Sequence, residues 1–318
     1  MEDLLNSRHH PVETLRPAMM RSKPVPIDRV FDDPDAVIGA IRDRAPYPTM
    51  AQFHGMAENL EAAARLPWFR TQFDDPLFMN NSRWLQAAQE SFSATIVQPL
   101  KCLININGPM TAGPPHLDLP VYRGFKAPEV PVWLLIVMSY SGLFHPWLVP
   151  IASGLAWFYR GTGGEFEYWP DGPTASSHCT RAPLWNCGVM SDNEFMWHRI
   201  GDIGSLIEQA AFHNLVERAD ELHVTPAGAW SIRRRDREVA RVPFDRLRIS
   251  LLWKAYVFAD ASHLHSFKIG GMDLTLDQVV EIFVEDLRRR NVPVKQPYDP
   301  FDDPEWRELL QTTYPSPF

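Results

Sequence analysis

The thirty residues from Val130 to Tyr159 contain no Asp, Glu, Lys or Arg. A helix needs roughly 20 apolar residues to cross a bilayer, so length alone admits a membrane span. The composition argues against one. Pro131, Pro146, Pro150, Gly142, Gly154 and His145 would interrupt a helix in lipid, where each freed backbone group goes unpaired. The stretch therefore predicts buried strands, clearest from Val132 to Met138, a short apolar run between Pro131 and Ser139-Tyr140-Ser141-Gly142. No membrane association is expected, and the acidic start Met1-Glu2-Asp3-Leu4 shows no apolar leader core.

With 45% apolar and 22% charged residues, the 318-residue chain can bury a full-sized core. Its net charge of −8 disfavours a nucleic-acid partner, since the only dense basic run is Arg233, Arg234, Arg235 and Arg237. Cys102, Cys179 and Cys187 are too few and too uneven for a disulfide framework or zinc ribbon. They suit a reducing compartment, so a cytoplasmic protein is expected.

The absence of internal repeats predicts one domain over 1–318, with three regions. Residues 1–100 read as mainly helical: Thr49-Met50-Ala51-Gln52 has capping-box form ahead of Phe53, Met56 and Leu60, and Ser82 to Val97 suits a second amphipathic helix. Residues 101–257 read as short strands near 101–107, 116–122, 132–139, 154–160, 164–169, 184–190, 194–200 and 246–257. A helical insertion over 203–241 interrupts them, opening at Ser205-Leu206-Ile207-Glu208. Residues 258–318 hold a helix capped at Thr275 and ending in Arg288-Arg289-Arg290, where the dipole favours cations, followed by a tail.

Among the histidines, His9, His10, His145, His213 and His223 read as structural or solvated, and His263 and His265 as a structural pair on a strand face. His116 differs. In Pro114-Pro115-His116-Leu117-Asp118, an i, i+2 spacing on a strand places an imidazole and a carboxylate on one face. These are two ligands for a borderline divalent metal, and a third completes a facial triad with three open positions. His198, in an alternating segment just after Ser191-Asp192-Asn193, is the best third ligand.

Downstream, Arg246, Arg248 and Ser250 alternate with Leu247, Ile249 and Leu251, so one strand face is cationic and hydroxylic and the other apolar. If the polar face lines an interior, guanidinium and hydroxyl form a receptor for a carboxylate. Asn105 and Asn107, on the run before the His-x-Asp segment, either contact a bound small molecule or hold a turn. The rings of Trp157-Phe158-Tyr159 and Phe166-x-Tyr168-Trp169 either wall a pocket or fill the core. Arg123 reads as a surface residue or as a partner for a substrate carboxylate.

The ordered set His116-x-Asp118, His198 and Arg248-x-Ser250, within a region of eight strand-like runs, resembles the Fe(II)/2-oxoglutarate-dependent oxygenase family. The resemblance implies a fold that is mainly β with flanking helices, around a double-stranded β-helix of jelly-roll or cupin-like kind. It implies Fe(II) on His116, Asp118 and His198. It further implies 2-oxoglutarate on Arg248 and Ser250, with Arg246 as alternate anchor and Asn105 nearby, and O2 as the oxidant. Hydroxylation, desaturation or oxidative cyclisation of a small molecule would follow, because the carboxylate ligand leaves no place for a halide. Two other readings remain: a cupin-like metal enzyme that does not use 2-oxoglutarate, and a non-catalytic binding protein. No Gly-x-Ser-x-Gly elbow or phosphate loop is present.

Overall fold

The alternation over 248–254 is the organising feature of the fold. The computed structural model describes residues 22–53, 67–270 and 272–318; His9, His10, Met56 and Leu60 lie outside them. Thirteen strands are present among these residues: β1 Val25–Ile27, β2 Tyr47–Pro48, β3 Trp68–Gln72, β4 Ile96–Asn107, β5 Ile151–Phe158, β6 Phe166–Trp169, β7 His178–Cys179, β8 Trp185–Ser191, β9 Trp197–Ile200, β10 Asp220–Val224, β11 Trp230–Arg234, β12 Arg237–Val242 and β13 Arg248–Phe258. β13 lies near the centre of a six-stranded antiparallel sheet of order β1-β8-β5-β13-β4-β3. Ser250 pairs with Asn105 on one side and Trp157 on the other, and Lys254 with Lys101 and Ser153.

Period-two geometry then assigns the faces. Ile249, Leu251, Trp253 and Val257 are buried on the back of this sheet with Ile104, Ile106, Ala156 and Phe158. They meet the helix Ser82–Phe92, whose buried residues Trp84, Ala87, Ala88, Ser91 and Phe92 follow amphipathic spacing. Asn81 caps that helix by accepting from the Arg83 and Trp84 amides, and Ser93 ends it in the left-handed region. Trp84 stacks on Trp253 with ring centroids 5.7 Å apart. Gly154 permits this contact, since a Cβ there would come within 3.0 Å of the Trp84 ring.

The opposite face carries Arg248, Ser250, Leu252 and Lys254 from β13, Leu103, Asn105 and Asn107 from β4, and Leu155 and Trp157 from β5. A three-stranded sheet, β7-β6-β9, packs against it. Phe166 of that sheet lies 5.8 Å from Trp157 across the gap. The architecture is a mixed α/β fold built on antiparallel sheets.

Four expectations about the fold need correction. Val132–Ser141 is a helix, not a strand, stopped by Gly142 at φ 69°. It packs Leu134, Leu135 and Met138 on Phe283 and Leu287 of the helix Leu276–Arg289 and on Leu310 of the helix Pro304–Thr313. An apolar run buried on several sides has no diagnostic period, and its ten residues with Pro before and Gly after suit a helix better. Residues 116–122 form isolated bridges only and no strand, since Pro114 and Pro115 precede the segment and Pro120 interrupts it.

The insertion is the third. Its helix runs from Leu206 to Leu215 with the expected capping box, but β10, β11 and β12 follow and join β2 in a sheet of order β12-β11-β10-β2. The basic run straddles the β11–β12 turn, where Arg235 adopts φ 56°, and Arg234 binds Asp220 at 2.8 Å. His263 and His265 also change setting, lying on the helix Ala261–Ile269. Among the described residues no helix is long and apolar enough to cross a membrane.

Candidate metal centre

The segment holding His116 and Asp118 borrows its order from β9 and the turn before it. His116 and His198 exchange backbone hydrogen bonds of 2.9 and 3.0 Å, and the Asp118 amide donates to the Asn193 carbonyl at 2.9 Å. The extended 116–118 segment therefore presents both of its side chains beside His198. The three ligand atoms all lie within 4.8 Å of one another, and His198 Nε2 is 3.6 Å from Asp118 Oδ1.

Each imidazole is oriented from behind. Nδ1 of His198 is 2.9 Å from the Met196 carbonyl, and Nδ1 of His116 is 3.2 Å from the Pro114 carbonyl. A proton donated there leaves Nε2 with its lone pair toward the other two ligands, the usual arrangement behind a metal-binding histidine. Burial, with His198 alongside, pushes the His116 imidazole below its ordinary pKa. Burial acts to raise Asp118, but Lys254 and His198 overcome it and hold the carboxyl well below the usual range. Neutral imidazole and ionised carboxylate are the forms a divalent cation requires. The donor set thus fits a metal of the iron, manganese or zinc kind.

Lys254 and Glu194 stand behind Asp118, outside the ligand set, and sequence reasoning missed both. Lys254 Nζ is 2.5 Å from Asp118 Oδ2 and 2.5 Å from Glu194 Oε1. Burial disfavours the ammonium, yet the two carboxylates reverse the balance and raise its pKa. Burial, despite Lys254 and aided by Asp118 and Asp192, raises Glu194 to about 7. Lys254 carried a legible signal, since it continues the alternation of Arg248 and Ser250. Glu194 carried none.

Arg248 and Ser250 are buried on the same face, 1% and 4% exposed. Arg248 Nε donates to the Gly164 carbonyl at 2.6 Å, and no carboxylate among the described residues pairs with its guanidinium. Burial lowers its pKa to about 10, so it remains a cation at neutral pH. Arg246 departs from expectation: it lies in the 3-10 turn Phe244–Arg246, off the strand, and pairs with Glu208. The turn follows Pro243, so β13 begins only at Arg248, two residues too late for Arg246 to share its face.

Asn105 accepts from Trp68 Nε1 at 3.0 Å and Arg70 Nε at 2.6 Å, so its oxygen ties β4 to β3. Asn107 is fully buried and its Oδ1 has no partner. Of the aromatic residues, Trp157, Phe166 and Tyr168 line the gap between the sheets, with Phe166 5.4 Å from His198. Phe158 belongs to the back core, and Trp169 packs on Phe318. Arg123 is not a surface residue. It is 9% exposed, binds Asp273 at 3.3 Å and the Ser266 carbonyl at 2.8 Å, and lines a separate cavity of about 380 Å³ with Tyr256 and Phe267.

No protein-family model matches the chain, and no curated protein does. Solved structures that match include a prolyl-4-hydroxylase from Pseudomonas putida, 10% identical over 78% of this chain and 100% of that one, with a TM-score of 0.39. Another is an oxidoreductase of the 2OG-Fe(II) oxygenase family from Burkholderia pseudomallei, 11% identical over 80% of this chain and 94% of that one, TM-score 0.40. A third is the non-heme alpha ketoglutarate dependent carbocyclase SnoK from nogalamycin biosynthesis, 9% identical over 82% and 92%, TM-score 0.38. At such identities and TM-scores, the assignment of function falls to the geometry of the site.

Proposed function

We propose that this protein is a non-haem Fe(II)- and 2-oxoglutarate-dependent oxygenase acting on a small molecule by hydroxylation, desaturation or oxidative cyclisation. The observation that carries the reading is the convergence of His116, Asp118 and His198 with both Nδ1 atoms turned to backbone carbonyls. Two imidazoles and one carboxylate leave open positions on a six-coordinate ion, as oxygen-activating iron requires. The facing six- and three-stranded sheets are read as the walls of a double-stranded β-helix, within a single domain.

His116, Asp118 and His198 would hold the iron. Bound there, it supplies O2-dependent oxidation coupled to decarboxylation of the keto acid. Arg248, a buried cation without a carboxylate partner among the described residues, would receive the far carboxylate of 2-oxoglutarate, with the Ser250 hydroxyl beside it. Trp157 and Phe166 would exclude water from the space between the sheets, which strengthens the polar contacts made there.

The test is anaerobic addition of 2-oxoglutarate to the Fe(II)-loaded protein. A visible metal-to-keto-acid charge-transfer band is expected. Iron binding without that band would instead support a cupin-like enzyme independent of 2-oxoglutarate, and failure to bind any divalent metal would leave a non-catalytic binding protein.

A further inference from the structure

The two carboxylates that meet Lys254 come from segments with little regular structure of their own. Asp118 lies in the long connection after β4, and Glu194 in the turn between β8 and β9. Lys254 stands near the centre of the six-stranded sheet, paired on both sides. Its ammonium, on a residue 6% exposed, reaches Asp118 Oδ2 and Glu194 Oε1 at 2.5 Å each. Glu194 is 3% exposed and is also met on Oε2 by Ser153 Oγ at 3.4 Å. Asp118 thus has one oxygen taken, while the other, Oδ1, faces His198 Nε2 at 3.6 Å.

We propose that Lys254 is a positioning residue of the metal centre, clamping Asp118 Oδ2 so that the carboxylate offers only Oδ1 to the ion, with Glu194 holding the ammonium in place. The inference rests on the metal-centre reading above. A carboxylate free to rotate can chelate through both oxygens and consume a position that a facial triad leaves open. One fixed by a buried ammonium cannot. The clamp also references a loop ligand to a central strand, which sites built on loops otherwise lack.

Lys254 carries a charge, so removing it alone would mix loss of position with loss of repulsion toward a cation. The double substitution Lys254→Met with Glu194→Gln removes the ammonium together with the carboxyl group that faces it, which limits the change in charge and tests position. Mn(II) is the probe, with free ion followed by electron paramagnetic resonance and water bound to the ion by proton relaxivity. The double variant is expected to bind Mn(II) about 10- to 100-fold more weakly than the wild type, the usual cost of losing an outer-shell partner. Its bound ion should also carry less exchangeable water, as Asp118 becomes bidentate. Lys254→Arg should recover most of the affinity, which a purely structural role would not predict.

Glu194→Gln alone, which keeps the packing, should show a smaller loss in the same direction. Mn(II) affinity and relaxivity unchanged from wild type in either variant would overturn the proposal. A wild type that binds no Mn(II) would overturn the metal-centre reading instead.

Discussion

His116 and His198 pair as partners across an isolated antiparallel bridge, with ring centroids 4.6 Å apart. The bridge joins the connection after β4 to β9, two segments remote in the chain. Each ligand therefore owes its position to the other's backbone as much as to its own, and the centre exists only once the small sheet has formed.

Loss of a ligand should abolish metal binding without unfolding the chain. His116→Ala, Asp118→Ala and His198→Ala are each expected to weaken Mn(II) binding by more than the about 10- to 100-fold typical of an outer-shell loss. Calorimetric titration measures this. Retention of wild-type affinity in any of the three would remove that residue from the site.

Arg248 should separate cosubstrate from metal. Arg248→Ala is expected to leave Mn(II) affinity intact while weakening 2-oxoglutarate by about 10- to 100-fold, the worth of a charge-assisted hydrogen bond of roughly 1.5–3 kcal/mol. Arg248→Lys should recover only part, because an ammonium lacks the bidentate fork. Titrating 2-oxoglutarate into the Fe(II) form checks both.

Gly164 supports the same arginine. At φ +74°, a Cβ would approach Arg248 Cδ to 2.7 Å. Gly164→Ala should therefore weaken 2-oxoglutarate binding and spare the metal. A normal cosubstrate affinity in a folded Gly164→Ala protein would show that Arg248 does not need this support.

Stability should depend on the back of the sheet. Trp253 is fully buried and stacks on Trp84. Trp253→Ala is expected to cost about 3–5 kcal/mol, seen as a lower midpoint in urea at unchanged slope.

An acid-sensitive contribution should come from Asp286. Burial opposes its ionisation, but hydrogen bonds from Arg290 Nε at 2.6 Å and Tyr314 OH at 2.8 Å prevail and lower its pKa from 3.8. A carboxyl depressed on folding stabilises above its unfolded pKa, and the contribution is lost as pH falls through the folded value. Asp286→Asn should therefore lower stability at neutral pH and narrow the gap to wild type below about pH 4, near the unfolded carboxyl pKa. A gap independent of pH would refute the assignment.

What the chain by itself determined was local chemistry with a short period. The His-x-Asp spacing, the alternation through Arg248 and Ser250, and the capping boxes at Ser205 and Thr275 are readable because their geometry depends on neighbours two to four residues away. His116 and Asp118 stand side by side in the structure on that basis, and His198 joins them through the remote bridge.

Tertiary structure decided everything set by remote packing. Val132–Ser141 is helical because helices from the chain's far end receive its apolar surface, a fact absent from its own pattern. Arg246 and Arg248 read alike in sequence, yet the 3-10 turn after Pro243 sends one to Glu208 and the strand buries the other. Lys254 acquires meaning only when β13, the connection after β4 and the β8–β9 turn meet, since an ammonium between two carboxylates is a relation among three segments.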